Sequence, residues 1–315
     1  MSAATAVGTA RAGSGRPAPG GRGPRGRWTR DRVENAVLRV LRWVVVGGLL
    51  LFALFPFAYM VLLSFRDLTS LVAEPGRLLP SAAELNLQTY RDVLAPEADG
   101  GQGFLGLIRN SLVVALLTVV ASLALALPGA YAVARLRFRG RRQVSVLFLA
   151  VYLFPAILLA VPLFIAFTRL GLRGQLAGLV LVYVAQTVAV SVYMLRSYFR
   201  TVPASVEEAA AMDGAGRLGV LRHVVLPLAV PAIAANALLV FMIAWNEFLF
   251  ALLFLVEDRP RWTVSLGLSQ LSGSLEIPTT VLMAGSVVLT LPVVVLFFAS
   301  ERLLRGGLTA GAEKG

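Results

Sequence analysis

Between Trp43 and Ser64 the chain carries no charged side chain. Five further stretches behave in nearly the same way: Ser111 to Ala134, Val144 to Phe167, Leu176 to Leu195, Val230 to Val256 and Pro278 to Ala299. Glu247 is the one acid inside them. Crossing a bilayer takes about 20 apolar residues in a row, whereas shorter runs belong to core helices. A soluble domain has no room for so many long runs. With 57% of 315 residues hydrophobic, the chain also exceeds the usual share of about 45–50%. Inside lipid a backbone N–H or C=O finds no water, so each must be paired within its own segment, and a single-pass segment does this as a helix. The expected fold is therefore all-α, a polytopic membrane protein with six transmembrane helices. Only a brief stretch around Gly171-Leu172-Arg173-Gly174, residues 168–175, separates the third span from the fourth.

The direction of the spans follows from the arginines, because positively charged loops stay on the cytosolic side. The segment before the first span carries nine arginines against Asp31 and Glu34. Arg135, Arg137, Arg139, Arg141 and Arg142 follow the second span, and Arg196, Arg200, Arg217 and Arg222 follow the fourth. Arg302, Arg305 and Lys314 follow the sixth. The alternate loops are different. Residues 66–110 hold six acids against four arginines, and residues 257–277 hold three acids against two. The alternation fits six spans with both termini in the cytosol. Residues 1–42, rich in Arg, Gly and Pro, read as a disordered cytosolic tail, able to touch anionic headgroups. Residues 43–300 form the membrane domain, and 301–315 a cytosolic C-terminal tail.

Several chemistries are excluded. There is no cysteine, hence no disulfide or thiolate metal site, and the lone His223 makes no histidine cluster. The net charge of +12 sits at the ends of apolar runs, which fits membrane topology better than a nucleic-acid face. A phosphate-cradling loop needs a lysine after glycine, yet the only lysine, Lys314, follows Glu313. No Ser/His/Asp set or paired carboxylates suggest an enzyme. No cofactor is expected on this chain.

The loop at about 201–228 is the informative one. Pro203 stops the preceding helix. Ser205 with Glu208 has the spacing of a capping box, so a short helix is expected from about Val206. Ala209, Ala210 and Ala211 give it a slim face, and Gly214 can close it in the left-handed conformation. A second helical stretch runs from Arg217 to Val225, stopped by Pro227. So short a helix is marginal alone. Its small side chains suit docking into a groove on another protein.

Glu208-Ala209-Ala210, then Gly214, Val224 and Leu226-Pro227, resembles the EAA loop of ABC importer permeases at every spacing, and Asp213-Gly214-Ala215 is similar to that family's D-G-A. Asn110-Ser111, Tyr131 to Arg135 and Trp245-Asn246-Glu247-Phe248 resemble further family segments. The ending Gly307 to Gly315 resembles that of maltose-type, sugar-importing permeases. The resemblance covers about residues 35–315 and implies the type I importer permease fold in a bacterial cell membrane. It implies that Glu208, Ala209, Ala210, Asp213, Gly214, Leu226 and Pro227 couple to a separate ATPase subunit, which holds ATP and Mg2+. It also implies a second permease, a different chain in maltose-type systems, and an extracytoplasmic solute-binding protein. Gly311, Lys314 and Gly315 would touch the ATPase subunit.

Trp245, Asn246, Glu247 and Phe248 are candidates for the pathway or a gate. An acid in a span is costly and faces a partner or a wet cavity, so Glu247 either bonds another helix or lines the pathway. Pro155, Pro162 and Pro292 would kink their spans. Two other readings stand beside a sugar importer. One is the same machinery carrying an amino acid, polyamine, phosphate or peptide. The other is an ion-coupled secondary transporter, which usually keeps ionisable groups near the midplane.

Overall fold

The computed structural model describes residues 27–74, 76–77, 85, 87–274 and 277–312. Residues 1–26, Lys314 and Gly315 lie outside the described residues, as do Glu84 and Glu276 of the acid-rich loops. Two compact units make up the chain, Met1–Phe57 and Ala58–Gly315.

Helix α1 spans Arg27–Ser64. It begins well before residue 42, where the sequence suggested a disordered tail. From Arg27 onward the sequence is Trp, Val, Leu and Arg rich with no proline before Pro56, so nothing interrupts helical hydrogen bonding upstream of the apolar run. Short helices α2 (Leu68–Ala73) and α3 (Gln88–Leu94) follow. Then come α4 (Phe104–Arg135), α5 (Arg141–Leu153), α6 (Ala160–Arg169) and α7 (Leu176–Phe199). Next are α8 (Ala204–Met212), α9 (Arg217–Val220) and α10 (Leu226–Leu228). The chain ends with α11 (Val230–Asn246), α12 (Leu249–Leu255), α13 (Val264–Ser272) and α14 (Thr279–Ala312).

Among the described residues, four helices are long and apolar enough to cross a membrane. The number is six if each of two bent pairs counts as one span. The third expected span is one of these pairs: α5 and α6 meet at 88° around Phe154-Pro155. Proline cannot donate the next helical bond and restricts the residue before it. The second pair joins the Arg217–Leu228 stretch to α11 at 79°. The fifth expected span, drawn to Val256, ends at Asn246, and a new helix starts at Leu249. At the C-terminus α14 continues without a break to Ala312, so the stretch written as a tail from residue 301 is helical that far.

The second unit is built on the pairing of α4 with α7. One face of α4 buries Ala115, Thr118, Ser122, Ala126 and Ala130. These small residues recur about every fourth position, which lets two backbones approach closely in lipid. On that seam Ser122 and Thr187 share a buried hydroxyl–hydroxyl hydrogen bond of 2.7 Å. Trp245, fully buried, donates its indole N–H to the Leu289 carbonyl at 2.9 Å, tying α11 to α14. Near the N-terminal end of α4, Asn110 donates to the carbonyls of Pro260 and Trp262 at 2.9 and 3.0 Å, and Ser111 accepts from the Val264 N–H. These bonds hold the 257–263 loop over the bundle.

Candidate functional site

Helix α8 carries Glu208, Ala209 and Ala210, the first part of the pattern that resembles an EAA loop. It starts at Ala204 with Pro203 at the N-cap and no side-chain capping bond. Ser205 therefore lies in the first turn, and the expected capping box does not form. Pro203, extended at φ −61° and ψ 132°, launches the helix directly after itself. The far end matches a Schellman cap: the Gly214 N–H bonds to the Ala211 carbonyl at 3.1 Å and the Ala215 N–H to that of Ala210 at 3.0 Å. Gly214 sits at φ +88°, a region that costs other L-residues about 1–2 kcal/mol.

The two adjacent acids of α8 do different things. Glu207 faces the chain's own bundle. Its Oε1 lies 2.7 Å from Arg135 Nε, and Oε2 accepts a 3.3 Å bond from the Tyr131 hydroxyl. Arg135, the last residue of α4, also donates through Nη2 to the Val202 carbonyl at 2.5 Å. One guanidinium thus grips the chain just before α8 and the helix itself. Ala210 is half-buried against the cluster that contains Phe199, Val220 and Val225. Glu208, Ala209 and Asp213 are exposed. Beside them Met212 is 88% and Leu218 77% exposed, a large apolar display on an otherwise arginine-rich end of the molecule.

Leu226 and Pro227 do not stop the second stretch. Residues Leu221–Val225 form a π-turn, after which α10 carries Leu226 and Pro227 onward to Leu228. A π-turn accommodates an extra residue per turn, here just ahead of a proline that supplies no N–H. The chain turns at Ala229 instead.

The Trp245–Phe248 segment divides by environment. Trp245 is core, stacked on Phe241 with ring centroids 5.5 Å apart. Glu247 sits in the break between α11 and α12. Its Oε1 accepts from the Phe250 N–H at 2.9 Å and its Oε2 from the Ala251 N–H at 3.3 Å, capping α12. The Tyr183 hydroxyl on α7 donates to Oε2 at 2.5 Å, and Ser265 on α13 donates to the Glu247 carbonyl at 2.7 Å. Of the two readings open for Glu247, the structure shows the interhelical bond. Phe248 is half-buried, and Asn246 is exposed. Asn246 borders a cavity of about 420 Å3 between α11, α13 and α14, with Ser265, Ser269, Ser272 and Ser286 around it. This is within the range of small-molecule sites, about 300–1,000 Å3.

Gly311 falls in the last turn of α14. Sequence reasoning had not assigned Glu207, Arg135, Tyr183 or the serines of α13 to any site. Tyr131 and Arg135 stood within a noted segment, but only the bundle's geometry decides which of two neighbouring acids they meet.

The chain is similar to known membrane proteins over most of its length. The family described as binding-protein-dependent transport system inner membrane component matches residues 126–306. An inner membrane ABC transporter permease protein of Escherichia coli, YcjP, is 39% identical over 84% of this chain and 93% of its own. The trehalose/maltose transport system permease protein MalG of Thermococcus litoralis is 36% identical over 90% of this chain and 99% of its own. The trehalose permease protein SugB of Mycobacterium tuberculosis is 35% identical over 88% and 98%. A solved bacterial ABC transporter that imports the acidic polysaccharide alginate contains a similar chain, with a TM-score of 0.72 at 26% identity over 85% of this chain and 97% of that one.

Proposed function

The chain belongs to the family of binding-protein-dependent transport system inner membrane components, and from that membership we propose that it is the multi-pass permease subunit of an ATP-driven sugar importer. It supplies half of the translocation pathway and hydrolyses nothing itself. ATP and Mg2+ belong to a separate ATPase subunit, which receives α8. A second permease chain completes the pathway, and an extracytoplasmic binding protein delivers the solute. Both termini and α8 face the cytosol. Sugar is the cargo class favoured by relatives that carry trehalose and maltose.

The observation that carries this reading is the two-sided build of α8. Glu207 and Ala210 face inward and Arg135 tethers the helix, while Glu208, Ala209 and Met212 stand in the open. A helix fastened to the bundle and exposed on its other face is built to take a push from one body to another. Closure of the ATPase subunits would move α8, and the Arg135 tether would hand that motion to α4 as a rigid-body shift.

The test uses the absence of native cysteine. A single cysteine at position 212 should react with an impermeant maleimide only from the cytosolic face, and ATPase binding should protect it. In the reconstituted importer, trehalose or maltose presented on its binding protein should stimulate ATP hydrolysis. Labelling of position 212 from outside intact cells would defeat the assignment.

A further inference from the structure

We propose that the cytosolic ends of α5 and α7 form a binding site for the phosphate headgroup of an anionic phospholipid. The site lies away from the serine-lined cavity and directly before the 201–228 loop, which Arg200 adjoins in sequence, and its leaflet follows from the orientation proposed above.

A cavity of about 510 Å3 opens there, lined by Arg141, Arg142, Arg196 and Arg200 with no acidic residue in its walls. Four guanidinium groups facing one space repel each other unless an anion joins them. Two observations mark the place as built. Arg141 is fixed in position, donating from Nε to the Val133 carbonyl at 2.7 Å and from Nη2 to the Ala134 carbonyl at 2.8 Å, both in the last turns of α4. The Nε of Arg196 is buried and has no hydrogen-bond partner among the described residues. A buried donor without an acceptor is costly, and a phosphate oxygen is the acceptor that guanidinium geometry suits best.

The surroundings favour a lipid over a soluble phosphate. Next to the arginines the wall is Val146 and Leu149, 60% and 40% exposed, and Tyr193. A second apolar hollow continues along α5 past Val146 and Leu147 toward Ala150. Charge at the membrane end and an apolar strip running up the helix match a headgroup with its acyl chain beside it. Basic pockets between helices on the cytosolic side are a recurring way of holding anionic lipid.

The experiment is native mass spectrometry of the assembled importer in mixed micelles containing phosphatidylglycerol and phosphatidylcholine. Wild-type complex should retain phosphatidylglycerol in preference to phosphatidylcholine. Arg196→Gln and Arg200→Gln should each lower that retention about five-fold, from about 1 kcal/mol per basic residue. Arg200→Lys should keep most of it. Arg139→Gln, which removes an exposed arginine from the same side outside the cavity, should change nothing. If Arg196→Gln prevents assembly, Arg200→Gln alone, at an exposed position, carries the test. Equal retention of both lipids would overturn the proposal, as would unchanged retention in Arg200→Gln. Displacement of phosphatidylglycerol by millimolar inorganic phosphate would reassign the cluster to soluble phosphate and overturn it too.

Discussion

Arg135 and Glu207, 72 positions apart in sequence, meet with Nε and Oε1 2.7 Å apart and only 20% and 13% of their side chains exposed. The same arginine holds the Val202 carbonyl, so α4 is bolted to both sides of the entry into α8. Exposed ion pairs contribute about 0–1 kcal/mol, whereas breaking a buried pair from one side costs about 3–5 kcal/mol. A pair this sheltered falls between, at about 1–3 kcal/mol. Glu207→Ala should leave the ATPase subunit bound while abolishing stimulation of ATP hydrolysis by loaded binding protein. Glu207→Ala with Arg135→Ala should cost less than the two single changes summed, because the pair is one interaction. Wild-type uptake by Glu207→Ala would show that the tether transmits nothing.

The outward face of α8 makes a different prediction. Met212 and Ala209 are exposed and belong to no buried cluster among the described residues, so changes there should spare insertion and folding. Met212→Asp or Ala209→Trp should reduce co-purification of the ATPase subunit by about tenfold or more, as expected for the loss of about 1.4 kcal/mol at an interface. Ala210→Trp is a poorer probe, because Ala210 packs inward and the larger ring would disturb the bundle itself. If Met212→Asp left the complex intact, the docking face would have to be sought elsewhere.

At Gly214 the cost of substitution is purely one of backbone. A Cβ there would meet no atom within 4 Å, yet φ is +88°. Gly214→Val should therefore weaken the cap of α8 by about 1–2 kcal/mol, and Gly214→Asn by less, since asparagine tolerates this region. The order Gly, Asn, Val in ATP-driven uptake is the expected outcome. Equal activity of all three would mean that the closed end of α8 is not part of its docking shape.

Length and periodicity made most of the spanning helices legible, because an uninterrupted apolar run is a direct physical requirement of the bilayer. The short helix of the 201–228 loop was legible for another reason: its glycine, Pro203 and alanines act locally, through φ and helix length. What stayed hidden depends on partners far away in sequence. The break after Asn246 is stable because Tyr183 and Ser265, from two other helices, satisfy Glu247. Nothing within Val230 to Val256 announces them. The choice of Glu207 over Glu208 as the tethered acid likewise depends on the rotation of α8 about its own axis. Pro227 misled in the opposite direction, since a π-turn absorbs it.

Glu247 should behave as a structural acid. It caps α12 and receives the Tyr183 hydroxyl. Glu247→Ala should destabilise the complex by about 1 kcal/mol or more from the lost cap, and Tyr183→Phe by about 1 kcal/mol from the lost bond. Thermal unfolding in detergent should register both. Glu247→Gln keeps an acceptor for the α12 N–H groups and should retain most uptake. Loss of uptake in Glu247→Gln with unchanged thermal stability would assign the carboxylate to the pathway instead.

Asn246 is the exposed member of the Trp245–Phe248 segment and borders the cavity between α11, α13 and α14. Its neighbours contribute hydroxyls from Ser265, Ser269, Ser272 and Ser286 around a cavity of about 420 Å3. With Leu268, Leu282, Met283 and Leu289 completing the wall, uncharged hydroxyls and an amide beside apolar carbon match a neutral polyol, whose ring carbons are apolar and whose hydroxyls form hydrogen bonds. The amide already donates to the Met242 carbonyl at 2.9 Å, which fixes its orientation and leaves its carbonyl oxygen for a ligand. Asn246→Ala and Ser269→Ala should raise the apparent KM for sugar uptake while leaving basal ATP hydrolysis and complex stability unchanged. A site that hydrogen-bonds its ligand loses discrimination when such a group is removed, so the variants should also discriminate less sharply among sugars. A pure fall in maximal rate, with KM untouched, would place this cavity off the route of the sugar.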